Sequence, residues 1–469
     1  MELTWNAIVW CVICFTPILI HLFRRRKPDN FPPGPPGYPI IGNIVDLSGK
    51  MPHRDLARMK EKYGPIIGLK IGSARTVVIS SAKTATEFFK NHDLSFADRA
   101  IVDSMRCHDY HKRSLGLAPH GTYWRVLRRI CTVDMLVAKR INETAPIRRK
   151  CVDQMIAWLD EEARNPHTID VGHFIYLTLF NMVGNLMLSR DLLDPKSKEG
   201  SEFCKAMHGM IQWAGKANMS DAFPWLRWLD LQGVRRRVTR DMGDVLRITS
   251  GFLRERMEEI KKGVEHNRPK DFLDVLIEFE GDGKDELTKL SEQEITVVVL
   301  ELFIAASETT SSTTEWILAE LFHKPECMAK AKEELALVVG PNNKVEESHI
   351  DDLPYLQAVV KEALRLHPPL PFLLPRSAIK DTKFMGYDIP KGTQVFVNSW
   401  AIGRDNEIWE DGNSFKPERF LGSKVEFRGQ HYELIPFGAG RRMCPGIPIA
   451  HRMLHLIAGS LLHNYDWKP

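Results

Sequence analysis

From the first residues, polarity is distributed unevenly along the chain. Leu3 to Phe23 is almost wholly apolar or aromatic, with no acid or fixed cation and His21 near its end. About 20 such residues span the hydrocarbon core of a bilayer. Arg24-Arg25-Arg26-Lys27 follows at once, and a basic cluster directly after a span holds that side in the cytoplasm. A cleaved leader would place its charge before a shorter apolar run. The pattern predicts a single transmembrane helix over residues 1–23, with a short lumenal start. Residues 24–37 then form a basic stop and hinge, because the prolines of Phe31-Pro32-Pro33-Gly34-Pro35-Pro36-Gly37 fix φ and stiffen the connector.

Beyond Gly37 no linker or repeat divides the chain, so residues 38–469 read as one catalytic domain. Strand-like runs are few. Ile66 to Ile71 and Thr76 to Ser80 flank Gly72-Ser73-Ala74, a hairpin pattern; Phe384 to Ile389 and Thr393 to Asn398 flank Pro390-Lys391-Gly392, a second. Most of the remainder alternates with helical period. The prediction is a mainly α fold with a minor β-sheet.

Ser291 to Phe322 is the most informative helix. Ser291 with Glu294 forms a capping-box start and Pro325 lies just past the end. The segment reads as apolar over Ile295 to Ala306, then changes character at Ala305-Ala306-Ser307-Glu308-Thr309-Thr310. An acid and hydroxyls inside a buried helix are costly unless they are satisfied or used.

Bulk composition narrows the function. With 64 basic and 60 acidic side chains the net charge is only +4, far from the strongly basic balance of a nucleic-acid binder. Eight cysteines are scattered without paired spacing, which suits a reducing compartment. One of them stands out. Cys444 lies in Phe437-Gly438-Ala439-Gly440-Arg441-Arg442-Met443-Cys444-Pro445-Gly446, ahead of an apolar helical segment from Ile447 to Leu462. Glycines there allow sharp turns and close approach to a flat partner. A cysteine near a cation and a helix N-terminus is favoured as the thiolate, the metal-binding form. A single thiolate without further Cys or His ligands is wrong for structural zinc or an iron–sulfur cluster. It fits the proximal ligand of a haem iron.

Here the chain resembles the haem-thiolate monooxygenases, the cytochromes P-450. Their pattern Phe-x-x-Gly-x-Arg-x-Cys-x-Gly is matched by Phe437, Gly440, Arg442, Cys444 and Gly446. The resemblance implies a fold that holds haem b between a long central helix and the cysteine loop. Glu308 and Thr309 match the acid and threonine of the family's helix over the haem, which manage protons; Ala306 replaces its usual glycine. Trp124-x-x-x-Arg128 matches a helix whose side chains meet a haem propionate, and Arg442 and Arg376 are further propionate partners. Glu362 and Arg365, with Arg419 of the later Phe415 to Phe420 segment, resemble the family's buried ion network. By the same analogy Leu302, Ala305, Ala306, Leu370, Phe372, Leu373 and Leu374 would line the substrate pocket.

No Gly-rich flavin or nicotinamide fingerprint occurs in the chain. The resemblance therefore implies an external NADPH-dependent, flavin-containing reductase on the same membrane, meeting basic residues such as Arg129 or Arg441. Dioxygen and a small lipophilic substrate are the other reactants, lipid is a partner, and the endoplasmic reticulum is the expected site. The details resemble plant microsomal members, nearest the geraniol-hydroxylase and iridoid-oxidase group, which implies a terpenoid or alkaloid substrate. Family members continue for a few dozen residues past Asn464-Tyr465-Asp466-Trp467-Lys468-Pro469, so a C-terminal hairpin is expected to be lacking. The alternatives are a haem-thiolate isomerase or dehydratase that needs no reductase, and a non-catalytic truncated haem-binding protein. His451 and His455, four apart, read as ordinary helix histidines rather than a zinc pair.

Overall fold

The computed structural model describes residues 30–467 apart from 48, 50, 165–167, 196–200, 265–268 and 282–286. The membrane helix expected over 1–23 and the basic cluster at 24–27 lie outside the described residues. What is described is mainly helical with a small sheet.

Helix α1 (Pro52–Tyr63) leads into β1 (Ile66–Ile71) and β2 (Ala74–Ile79), an antiparallel pair with Ile66 opposite Ile79. Gly72 takes φ +60 in the turn between them, a conformation that favours glycine. Helix α2 (Ala82–Asn91) follows, then β3 (Asp98–Arg99), and much later β4 (Arg376–Ser377), β5 (Thr382–Phe384), β6 (Tyr387–Ile389) and β7 (Gln394–Val397). The main sheet runs β1-β2-β7-β4-β3, with β7 parallel to β2. The second predicted hairpin is corrected here. The run from Phe384 to Ile389 folds on itself as β5–β6, Phe384 opposite Tyr387, while β7 belongs to the main sheet. Met385 and Gly386 both take positive φ and supply the turn inside what reads as one strand.

The helical body consists chiefly of α3 (Thr122–Arg129), α4 (Ala145–Glu162), α5 (Val171–Leu188), α6 (Ser201–Ala214), α7 (Val234–Lys261), α8 (Glu292–His323), α9 (Pro325–Val338), α10 (Pro354–Leu366) and α11 (Ile447–Asn464). Helix α5 is buried almost all round, as an apolar helix in a large core must be. Ser291 caps α8 reciprocally: its Oγ accepts from the Glu294 N–H at 3.3 Å, and Glu294 accepts from the Ser291 N–H at 2.7 Å. The 32 residues of α8 make a rod that packs against α5, α7, α10 and α11. Phe303 meets Phe180 at 4.9 Å and Phe203 at 5.5 Å between ring centres, locking one flank of the rod into the core.

Candidate active site

The opposite flank of α8 faces a cavity enclosing about 310 Å³, measured to the centre of a water-sized sphere. Leu302, Ala305, Ala306, Thr309 and Thr313 line it, at the three- and four-residue spacing that puts side chains on one helix face. The Cys444 loop forms the other wall, with Phe437, Gly438, Cys444 and Gly446 against the cavity. Leu370, Leu373 and Leu374 from the segment before β4, with Arg376 of β4 itself, close the side. Phe372 does not join them. Its ring stacks on Phe396 at 5.3 Å and meets His53, so the expectation that it lines the pocket is corrected. The backbone turns sharply here, with Leu373 at φ +55, and Phe372 packs with the small cluster of Leu56, Ile67, Leu69 and Val78.

Gly438 and Gly440 bend the loop at φ +72 and +69, and a Cβ on Gly440 would lie 2.5 Å from the Asp93 carboxylate. The Cys444 N–H donates to Phe437 O at 3.0 Å, closing the loop. Gly446 differs. Its φ is −79 and a Cβ there would sit 3.6 Å from Cys444 Sγ, so neither strain nor crowding explains that glycine. The Gly446 N–H points at Cys444 Sγ, 3.3 Å away. Burial pushes the Cys444 thiol up, and the Gly446 N–H and Arg128 only partly oppose this. Burial thus acts against the thiolate that the nearby cation and N–H groups favour, and coordination to a metal would favour the deprotonated form.

Cations gather at one end of the cavity. Arg128 Nη1 donates to Met443 O at 2.5 Å. Arg376 reaches Asp93, Phe96 O and Ala439 O at 3.3–3.4 Å. Arg442 donates to Ala97 O and Ala118 O at 2.9 and 2.6 Å, and lies over Trp124 at 4.2 Å, while its buried Nη1 has no hydrogen-bond partner among the described residues. The Trp124 indole N–H is bonded to Leu115 O, so its contribution is the ring face. Burial pulls Arg442 down to about 9 and Arg376 to about 10, and Arg128 is lowered for the same reason. Several buried guanidiniums share too little counter-charge, and an unbonded donor remains. A flat group carrying two carboxylates answers both deficits, so these residues fit haem.

Sequence reading missed two residues here. Glu301 sits inside the stretch taken as apolar; it is partly buried, lines the cavity and accepts from Ser114 Oγ and the N–H groups of Leu115 and Gly116 at 2.6–2.7 Å. An acid within an apolar run was the available signal. Arg99 also lines the cavity, donating to Gly116 O at 2.9 Å and Leu374 O at 2.6 Å.

Glu308 and Thr309 diverge. Thr309 Oγ1 is at the cavity and donates to Ala305 O at 2.7 Å. Successive helical residues are about 100° apart, so the Glu308 carboxyl leaves the cavity wall and lies 3.4 Å from His208 Nε2. Behind the loop, the fully buried Arg365 holds both Glu362 oxygens at 2.6 and 2.7 Å and donates to Gly412 O at 2.7 Å. Arg419 Nε joins Glu362 at 3.1 Å. The three predicted network residues therefore meet. The His451 and His455 rings lie 4.4 Å apart, tilted by 46°, and burial lowers them to about 4 and about 3. No metal-holding cluster of three or more His, Cys, Asp or Glu occurs among the described residues.

Known proteins share both sequence and fold. The profile of the family "Cytochrome P450" matches residues 32–469. "Cytochrome P450 76A2" of Solanum melongena is 54% identical, covering 100% of this chain and 94% of its own. "Iridoid oxidase" of Catharanthus roseus is 50% identical, covering 96% and 89%. A solved structure, "Zebra fish cytochrome P450 another structure with Progesterone", superposes with TM-score 0.74 at 27% identity, over 88% of this chain and 92% of that one. Fold, cavity, cysteine loop and relatives agree: the chain belongs to the cytochrome P450 family, the haem-thiolate monooxygenases.

Proposed function

We propose that this monooxygenase is anchored in the endoplasmic reticulum membrane and oxidises a small lipophilic terpenoid or alkaloid. Its electrons would come from an NADPH-dependent, flavin-containing reductase. The observation carrying the reading is the cavity between α8 and the Cys444 loop, apolar along Leu302, Ala305, Ala306, Leu370, Leu373 and Leu374. When bound there, haem supplies dioxygen activation at an iron held by the Cys444 thiolate. The residues do the rest. Arg128, Arg376 and Arg442 would hold the propionates, with the Trp124 ring beneath Arg442. Phe437, Gly440 and Gly446 shape the loop around Cys444. The apolar wall excludes water and orients the substrate. Thr309 holds a hydroxyl at the reacting end and Glu308 holds a proton behind it. Glu362, Arg365 and Arg419 keep the loop's support rigid.

Two surfaces support the partners. Trp225, Trp228 and Leu231 are 52%, 79% and 61% exposed, and Tyr38 57%. The β1–β2 turn bonds to both of their segments: Gly72 N–H donates to Ile41 O and Ser73 N–H to Ala222 O. Aromatic and apolar side chains exposed beside the hinge suit a lipid surface. On the cysteine side Arg441 is half exposed, 3.4 Å from Asp93, and offers charge to an acidic reductase surface, as does Arg129.

Reconstitution with a plant reductase and a panel of monoterpenoid and diterpenoid probes tests the reading. Product should require reductase and NADPH, and Thr309→Ala should raise peroxide at the expense of product. Substrate conversion without reductase would instead identify an isomerase or dehydratase.

A further inference from the structure

We infer that His208 on α6 is the proton inlet of this active site, passing protons singly from bulk water to Glu308. This rests on the proposed proton role of Glu308 and Thr309, and adds where their protons come from.

The geometry turns Glu308 outward while Thr309 faces the cavity, so the acid needs a source on the far side of α8. That side is where His208 stands. Its Nε2 is 3.4 Å from Glu308 Oε1, and its side chain is 55% exposed against 32% for Glu308. The imidazole therefore touches solvent and the carboxyl at once. Its other nitrogen, Nδ1, is 3.1 Å from Cys204 O. A carbonyl oxygen only accepts, so Nδ1 carries a hydrogen in every state. The neutral ring must then present a bare Nε2 to Glu308. A proton entering this pair rests either as imidazolium with carboxylate or as imidazole with carboxylic acid.

The surroundings leave that proton free to move. Glu308 Oε1 is buried and makes no hydrogen bond among the described residues. Burial raises the Glu308 carboxyl, His208 lowers it and Glu315 on the same helix raises it. Tyr176 of α5 stands 5.0 Å from the His208 ring, its hydroxyl pushed up by burial. Cys204 of α6 is pushed up to about 11. Both keep their protons at neutral pH and do not compete. Glu315 is engaged by Ser311 at 3.0 Å.

The step balances without electrons. The Nε2–H bond of the imidazolium breaks and the Glu308 carboxylate gains that proton. The neutral imidazole recovers one at Nε2 from hydronium or a buffer acid in bulk solvent, and the conjugate base stays in the solvent. The carboxyl then rotates its acid hydrogen towards the Thr309 side. The 3.4 Å gap closes by a few tenths of an ångström for transfer, a usual tightening from resting geometry.

The test uses the full chain in membranes with reductase, NADPH and geraniol as probe, comparing wild type with His208→Gln, His208→Lys, Glu308→Gln and Thr309→Ala at equal haem content. Glutamine keeps the hydrogen bond and cannot relay a proton; lysine can. NADPH oxidation in His208→Gln should fall about tenfold or more, with a larger solvent deuterium effect, and His208→Lys should recover most of it. Independently of turnover, the infrared band of the protonated Glu308 carboxyl, identified by its loss in Glu308→Gln, should persist to higher pH in His208→Gln. Unchanged oxidation and isotope effect in His208→Gln would overturn the inlet, with or without a band shift. If Thr309→Ala and Glu308→Gln still raise peroxide per NADPH in that case, the acid–alcohol reading survives; if they do not, both fall.

Discussion

The guanidinium carbon of Arg442 lies 4.2 Å above the centre of the Trp124 ring. The indole N–H is bonded elsewhere, to Leu115 O, so the ring offers the cation its electron-rich face. Such a contact stabilises a partly desolvated guanidinium by about 1–2 kcal/mol. It does not satisfy Nη1, which stays buried with no hydrogen bond among the described residues.

That arrangement predicts opposite effects in the presence and absence of haem. Arg442→Met should leave the haem-free chain equally or more stable, because it removes a buried, under-compensated charge. Haem retention should drop about tenfold or more, the equivalent of one charge-assisted hydrogen bond. Transfer of haem to an excess of apomyoglobin measures the second effect and thermal unfolding without haem the first. An unchanged rate of haem loss would remove Arg442 from the propionate site.

Haem binding should depend on pH through Cys444. Burial raises the free thiol above its ordinary value, and the iron takes the thiolate, so binding releases a proton. Below the pKa of the thiol, affinity of the haem-free chain for ferric haem should rise about tenfold per pH unit. The slope runs upward with pH because the free site binds the extra proton. Haem titrations between pH 6 and 8 read it. A slope surviving in Cys444→Ser would assign the proton to another group.

Glu362 accepts from Arg365 twice and from Arg419 and the Lys416 N–H once each. Glu362→Ala leaves two guanidiniums without their carboxylate, a loss of about 3–5 kcal/mol for a broken buried pair. The expected outcome is little soluble, haem-loaded protein. Arg365→Lys should rescue poorly, because one ammonium cannot replace a fork that also bonds Gly403, Gly412 and Ser414. Haem per mole of purified protein is the readout.

Much of this was legible in the sequence. The capping box at Ser291 set the start of α8 within one residue, and the family resemblance carried by the Cys444 motif implied a loop facing the long helix. The hairpin at Gly72 was visible because glycine and its flanking alternation agree. Other features depend on tertiary context. Phe384 to Ile389 reads as one strand because its turn needs positive φ at Met385, which carries no sequence signal. Phe372 stands between two pocket residues, and only the local backbone decides that it points away. His208 lies 100 residues from Glu308 in the sequence, and no local pattern joins them. Glu301 was visible but was absorbed into an apolar average.

Glu301 should matter for the pocket's shape. Its carboxylate accepts three bonds that hold residues 114–116 against α8. Glu301→Gln replaces one acceptor by an amide donor facing backbone N–H groups, costing about 1–3 kcal/mol. Thermal unfolding should fall accordingly, and affinity for apolar probes should weaken while haem content stays near wild type. Unaltered stability and probe binding would show that the segment is held by other contacts.

The central claim is that Cys444 binds haem iron as a thiolate in this fold. The reduced, carbon-monoxide difference spectrum of the full chain in microsomal membranes tests it most directly. A red-shifted thiolate-type Soret band, absent in Cys444→Ser, is the predicted result. A blue-shifted band, or accumulated protein with no haem signal, would contradict it.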